Sequence, residues 1–298
     1  MHIDKHPKKS VPANLSALSE YLATRRRNPE RSKPLIHCIT NPLAIQFTAD
    51  AILALGARPI MVELASEVTN VVRDADALLL NLGNLTEGRI AGLKKAAAVA
   101  HSEGVPIVLD PVGVGGMPSR LQLAYDMIHL AEPTIIKGNS SEIQALANNT
   151  KTATGVDGRP LSIEERKRSA TAVQNRTGAV VITTGASDLV TSAAGHITIE
   201  GGSTFMSTIT GSGCLLGGLL AAVLGLVKET DYTTKTVAAL TTEMLMLAAT
   251  KAERKLTPYD GSGSFRVYLL DQLYQFGTAG PAWDKTDWKG IFNHEKES

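Results

Sequence analysis

Several features that would place a chain quickly are scarce here. Only two cysteines, Cys38 and Cys214, stand among 298 residues. They match no zinc-ligand spacing and no disulfide framework, which argues against a stapled secreted scaffold and for a reducing, intracellular setting. The formal net charge is +1, so no general field draws the chain to nucleic acid or to a membrane. The segment Met1 to Lys9 has no apolar signal core. One uncharged run, Phe205 to Val227, is long enough to resemble a membrane span. Its first half is rich in Gly, Ser and Thr, and the strongly apolar part, Leu215 to Val227, suits a buried helix. There is no internal repeat at solenoid spacing. The single basic cluster, Arg25-Arg26-Arg27 with Arg31 and Lys33, reads as a solvated helix end and loop, with phosphate contact as the alternative.

What is present is a recurring alternation of short apolar strands and amphipathic helices. Hydrophobic residues make up 43% of the chain, ample for a large core. Leu15, Leu18 and Leu22 predict a first helix broken at Asn28-Pro29. Apolar runs at 35–40, 59–62, 77–82, 105–109, 134–137 and 179–184 read as strands. Helical patterns follow them at 43–55, 67–74, 84–102, 120–130 and 163–176, with Asn84 to Glu87 read as a capping box and Asn139 and Ser162 as caps. A further helix opens at Gly138 to Glu142. Residues 149–162 read as an exposed insertion, 189–199 as a hairpin, and 232–254 and 265–276 as long helices. Strand–helix alternation of this kind predicts an α/β fold with a mostly parallel sheet and helices on both faces. The expected division is an N-terminal helix and basic linker at 1–33, one catalytic domain at 34–277, and a polar, partly mobile tail at 278–298.

The most informative stretch is Thr208 to Gly218, where Gly, Ser and Thr run straight into an apolar helix. The first N–H groups of a helix lack internal partners and the dipole favours negative charge there, so a glycine-rich entry is a ready anion site. Thr210, Gly211, Gly213 and Cys214 would surround a transferring phosphoryl group, and the first turn favours a thiolate. The alternative is a tight turn with a small core cysteine. Ligands of open α/β sheets bind beyond the strand C-termini, and Thr40-Asn41, Met61, Asp110, Lys137 and Thr184 all fall there. Asp110 and Glu142 together offer oxygens to Mg²⁺ or its waters; singly, each also reads as a turn former and a helix-start acid. Lys137 can neutralise nucleotide phosphates or be a snorkelling strand-end lysine. Thr184 can bond a phosphate or its own backbone. Asn41 and Met61 can line an acceptor pocket, although Met61 also suits a core. His37 reads as a buried, satisfied histidine. Gly113 to Gly116 lacks the context of a dinucleotide fingerprint.

In this combination the chain resembles the hydroxyethylthiazole kinase family of the ribokinase-like superfamily. The resemblance lies in HCITN (37–41), LALGARPIM (53–61), LLLNLG (78–83), VPIVLDPVGVG (105–115), KGNSSEI (137–143), TTG (183–185) and TGSGCLLG (210–217). It implies a three-layer α/β/α sandwich, and phosphorylation of 4-methyl-5-(2-hydroxyethyl)thiazole by ATP with Mg²⁺ in thiamine biosynthesis or salvage. It implies a cytoplasmic homotrimer with active sites between subunits. It assigns Met61 and Gly211 to the thiazole alcohol, Lys137 and Thr184 to ATP, and Asp110 and Glu142 to Mg²⁺. Cys214 stands where many sugar kinases carry an aspartate base. Lys137 stands where the family often has arginine, and Pro42 also departs from it. Other readings are a nicotinamide-nucleotide-hydrate dehydratase-like lyase using ADP or ATP, a thiol hydrolase lacking a convincing histidine base, and a non-catalytic thiazole or nucleotide sensor.

Overall fold

Leu15, Leu18 and Leu22 form the buried side of helix α1 (Leu15–Arg27), and the Asn14 side chain caps its start by accepting from the Ala17 amide at 2.9 Å. The computed structural model describes residues 13–149 and 161–284. The insertion expected at 149–162 falls almost wholly outside these residues, as does the chain from 285 onward. Eight strands follow: β1 (Leu35–Ile39), β2 (Arg58–Ile60), β3 (Ala77–Asn81), β4 (Ile107–Asp110), β5 (Ile135–Asn139), β6 (Val180–Thr184), β7 (Asp188–Ser192) and β8 (Gly195–Ile199). They form one sheet in the order β2-β1-β3-β4-β5-β6-β7-β8. The first six run parallel, and the β7–β8 hairpin adds an antiparallel edge.

Both faces of the sheet are covered, which is why its central strands are continuously apolar. Helices α2 (Ile45–Leu55), α8 (Ser212–Leu226), α9 (Thr234–Glu253) and α10 (Ser262–Ala279), with α1 outside them, build one core around Leu79, Val108, Ile135 and Ile182. Helices α3 (Val68–Asp74), α4 (Glu87–Glu103), α5 (Pro118–Ala131), α6 (Ser140–Asn148) and α7 (Ile163–Thr177) build the other around Leu78, Leu80, Leu109 and Ile136. The result is the expected three-layer sandwich. Among the described residues no helix is long and apolar enough to cross a membrane.

Capping chemistry sets several helix ends as expected. Asn139 and Glu142 form a capping box on α6, Ser162 and Glu165 another on α7, and Gly56 and Gly104 close α2 and α4 in the left-handed region. Four expectations need correction. The α2 helix begins at Ile45 rather than at 43, because residues 41–44 form a turn in which the Ala44 amide bonds the Asn41 carbonyl at 3.0 Å. The cap of α4 is Thr86, which accepts from the Arg89 amide at 3.2 Å, whereas Asn84 takes a left-handed turn at φ 48°. Arg25 is no solvated helix end, since it is only 7% exposed. The polar tail does not begin at 278: α10 continues to Ala279, and Trp283 packs edge-on against Phe276 with ring centroids 4.8 Å apart.

Trp283 is 5% exposed and covers the outer end of the α1–α10 contact. Trp283→Ala is therefore expected to destabilise the protein by about 3 kcal/mol, the low end for loss of a buried indole, read as a lower urea midpoint.

Candidate active site

Strand pleating places the polar residues. Successive side chains alternate between faces, so a residue two beyond a core residue shares its side of the sheet. Leu79, Val108, Ile135 and Ile182 all belong to the core beneath α8. Two residues further lie Asn81, Asp110, Lys137 and Thr184, where the strands end. Register aligns the first three, since Asn81 pairs with Asp110 and the Val108–Ile135 pairing carried two residues on brings Asp110 to Lys137; Thr184 lies two residues further, paired with Asn139. Four strands thus deliver four polar side chains to one edge, on the side where α8 begins.

They meet in a connected network. The Lys137 Nζ lies 3.2 Å from Asp110 Oδ1, and Asn81 Nδ2 donates to Asp110 Oδ2 at 2.7 Å. The same Asn81 nitrogen is 3.3 Å from Cys214 Sγ, and Asn41 Nδ2 donates to that sulfur at 3.1 Å. Glu142 joins from the start of α6. One carboxylate oxygen accepts from the Gly113 amide and the other from the Asn139 amide, both at 2.8 Å. It thereby ties the loop after Asp110 to the α6 cap.

The electrostatics follow from burial. Asp110 is fully buried, which pushes its carboxyl up to about 6; the Lys137 charge opposes this, and the Glu142 charge adds to it. Burial pulls the Lys137 ammonium down, but the charges of Asp110, Glu142 and Cys214 outweigh it and hold it above its usual value. The pair is ionised at neutral pH. Burial and then the Asp110 charge raise the Cys214 thiol, against the lowering influence of Lys137, Asn81 and Asn41. This corrects the expected ease of thiolate formation: desolvation and the neighbouring carboxylate outweigh the helix start.

The α8 helix opens at Gly211, whose φ of +88° is a left-handed conformation suited to glycine. A Cβ there would sit 3.3 Å from both Cα and Cβ of Ala44, so the turn also packs closely on the loop carrying Asn41. Beside it lies a cleft of about 700 Å³ lined by Asn139, Thr184, Gly185, Gly213, Ser203 and Met246 among others. A Cβ at Gly213 would meet nothing within 4 Å, which leaves the first helical amides room to face a ligand. Thr184 reaches the Gly138 carbonyl at 3.4 Å, a long contact that a ligand can replace.

Met61 stands apart from this network and packs on the α8-side core. Its loop is fixed by His37, whose Nε2 donates to the Val62 carbonyl at 2.6 Å. Burial holds the His37 imidazole below its usual value, consistent with a neutral structural ring. Sequence reasoning gave Asn81 no role, although its place at the end of an otherwise apolar strand was a signal. It also missed Arg166, which donates to the Thr183 carbonyl at 2.8 Å and to the Ser187 carbonyl at 2.5 Å. Asp188 completes that clamp by accepting from the Gly185 amide at 3.0 Å. Burial pushes Asp188 up to about 6, opposed by the Gly185 bond and by Arg166 and Lys137.

Among the described residues no group of three or more His, Cys, Asp or Glu is placed to hold a metal ion. All four oxygens of Asp110 and Glu142 already accept hydrogen bonds. That donor set does not form a protein cage, but it fits a hydrated Mg²⁺ whose remaining ligands come from waters and phosphates.

The sequence model of the hydroxyethylthiazole kinase family matches residues 27–278. The chain belongs to that family. A hydroxyethylthiazole kinase of Granulibacter bethesdensis is 40% identical over 261 residues, spanning 87% of this chain and 90% of its own. The structure of a hydroxyethylthiazole kinase from Pyrococcus horikoshii superposes with a TM-score of 0.74 at 30% identity, covering 88% of this chain and 92% of that one. A ribokinase-like superfamily protein of Enterococcus faecalis shares the fold, with a TM-score of 0.60 at 16% identity over 93% and 98% of the two chains. Within the hydroxyethylthiazole kinase family frame, the Asn41–Cys214–Asn81–Asp110–Lys137 network and the adjoining cleft are the candidate catalytic centre.

The charges around Cys214 give a signed test. Asp110 raises the thiol and Lys137 lowers it, so Asp110→Asn removes the one and leaves the other. At fixed pH near 8 the variant is expected to react with iodoacetamide faster at Cys214 than the parent protein, followed by mass spectrometry. Cys38 serves as an internal control, because full burial pushes its thiol up and out of reach.

Proposed function

We propose that the protein transfers the γ-phosphate of ATP to the hydroxyl of 4-methyl-5-(2-hydroxyethyl)thiazole. Family membership supports the reaction, and one observation carries the site assignment: the start of α8, Asp110 and Lys137 converge beside a cleft large enough for a nucleotide. In this reading ATP occupies the cleft past Thr184 and Asn139. Its terminal phosphate faces the amides of Gly211, Ser212, Gly213 and Cys214, which stabilise charge developing on the transferring group. Lys137 neutralises the polyphosphate from the Asp110 side. Asp110 and Glu142 would hold a hydrated Mg²⁺, which would supply charge neutralisation to the phosphates.

Asn41, Gly211 and Met61 line the acceptor side in this reading. Asn41 and Asn81 hold the Cys214 sulfur by two amide contacts, at 3.1 and 3.3 Å, so the thiol is well placed to orient the alcohol. Because the thiol is raised rather than lowered, Cys214 acts mainly in positioning. Assembly as a homotrimer with shared sites is part of the proposal. Support comes from Leu43, 67% exposed beside the Gly211 turn, and Leu64, 57% exposed beyond Met61, both apolar surfaces near the acceptor side. The two free cysteines accord with a cytoplasmic location. Neither lyase chemistry nor a purely sensory role has comparable support, since no observation favours them over the kinase reading.

The direct test is turnover of purified protein with ATP, Mg²⁺ and the thiazole alcohol, with product followed by phosphorus NMR. Cys214→Ala is expected to keep its loss of kcat below about 10⁴-fold, the upper range for a removed general base; a larger loss identifies the thiol as an essential base. Gly211→Val is expected to abolish turnover, because its left-handed φ and the 3.3 Å approach to Ala44 leave no room for a branched side chain. Near-normal activity of that variant overturns the placement of the phosphoryl group at α8.

The pH profile supplies a second check. Asp110 is protonated in the folded enzyme below about 6, so kcat/KM is expected to fall on the acid side with a midpoint near that value. Lys137 holds the Asp110 carboxyl down, and Lys137→Met is therefore expected to move whatever acid limb survives toward higher pH. A limb unmoved by that substitution assigns the titration to another group.

A further inference from the structure

The basic cluster left unexplained by the kinase reading forms a second cavity. Arg25, Arg26, Arg31 and Lys33 line a pocket of about 100 Å³ together with Leu22, Leu55, Gly56 and Leu226. This volume is well above the ~10–15 Å³ that one water needs. It lies at the far end of the molecule: Leu226 ends α8, whose 15 residues at ~1.5 Å each separate the pocket from the Gly211 turn by ~22 Å.

Three helix C-termini meet here, those of α1, α2 and α8, and part of the cationic charge answers their carbonyls. Arg26 donates to the Ala54 carbonyl at 2.8 Å, and Arg25 Nη2 to the Ser32 carbonyl at 3.0 Å. The account does not close with those bonds. Arg25 is 7% exposed, yet its Nε and Nη1 have no hydrogen-bond partner. Among the described residues the acid paired with the cluster is Glu229, half-exposed, 2.9 Å from Arg31 and 3.5 Å from Arg25 Nη1. The longer distance is an ion-pair contact without hydrogen-bond geometry. A buried guanidinium with unused donors behind the pocket, arginine and lysine at its rim and one half-exposed carboxylate describe a site for a planar or tetrahedral oxyanion.

We propose that this pocket binds a phosphate-type dianion, inorganic phosphate or the phosphate group of a small monoester, in competition with the Glu229 carboxylate. Arg25 supplies fixed positive charge behind the pocket, and Arg31 and Lys33 supply the donors from the rim. Glu229 acts as an internal stand-in that must move aside. The site is independent of the phosphoryl-transfer reading, because none of its residues reaches the α8 start.

The test is calorimetric titration of the full-length protein with inorganic phosphate, at constant ionic strength made up with chloride. Glycerol 3-phosphate provides a parallel arm. Glu229→Gln removes the competitor and is expected to tighten binding severalfold. Arg31→Gln with Lys33→Gln is expected to weaken it by about tenfold or more, the scale of lost charge-assisted hydrogen bonds. Phosphate binding alone, or equal binding of both anions, supports the site and identifies its ligand as the free ion or as a monoester. Absence of binding at millimolar phosphate overturns the proposal. So does binding that neither substitution changes, which places the anion at the α8 start instead. Arg25 is left unaltered because its packing makes a folding defect the expected result of replacing it.

Discussion

Lys137 and Asp110 meet at 3.2 Å where almost no water reaches either. Taking two charges out of water is expensive, and their mutual attraction offsets this only when further hydrogen bonds satisfy the remaining lone pairs. Here Asn81 supplies one such bond to Asp110. The same amide lies against Cys214, so the satisfaction of the ion pair and the placement of the thiol are one arrangement. Glu142 extends it by tying the Gly113 amide, in the loop beyond Asp110, to the start of α6. Each charged group is held by a group that itself belongs to a strand end or a helix cap. The site is consequently as rigid as the sheet edge that carries it.

That edge depends on how closely α8 lies on the sheet. A Cβ at Gly217 would come 2.9 Å from Leu79 Cδ1 on β3, and one at Gly218 would come 2.3 Å from Thr48 Cγ2 on α2, so the two glycines let α8 approach both the sheet and its neighbouring helix. Glycines inside a helix cost roughly 1 kcal/mol each relative to alanine. The close approach they permit seats the α8 start directly over Asn81, Asp110 and Lys137. The long apolar remainder of the helix, enclosed except at the half-buried Leu224, compensates through burial. An apolar stretch that superficially resembles a membrane span is thus the buried axle that brings the opening of α8 to Asn81, Asp110 and Lys137.

The alternation of strands and helices was legible because parallel strands covered on both faces leave continuous apolar runs, and because Asn139-x-x-Glu142 and Ser162-x-x-Glu165 are explicit caps. The strand-end positions of Asp110, Lys137 and Thr184 were equally readable. What escaped was whatever depends on contacts distant in sequence. Asn84 was read as a cap on local spacing, but the turn needs its left-handed conformation and Thr86 takes the cap. Arg25 sits in a run of three arginines that looks solvated, yet only the third dimension shows two of its donors enclosed. The first-turn position of Cys214 argued for an acidic thiol; burial, and after it the Asp110 carboxylate 104 residues away in the chain, reverse the sign.

That reversal bears on why a thiol stands at this position. An aspartate there would add a third carboxylate beside Asp110 and Glu142, facing a polyphosphate, and like charges in a buried site disfavour one another. A thiol kept above its usual value by burial and by Asp110 is neutral at physiological pH. In the proposed function the side-chain charge met by an incoming nucleotide would then come from Asp110, Glu142 and Lys137. Loss of base strength is tolerable where phosphoryl transfer depends on alignment and charge stabilisation more than on deprotonation of the acceptor. Two asparagine amides hold the sulfur in place without adding charge. If the proposed reaction holds, the residue that most resembles a reactive nucleophile would contribute chiefly shape and orientation, and the helix amides beside it would contribute the charge stabilisation.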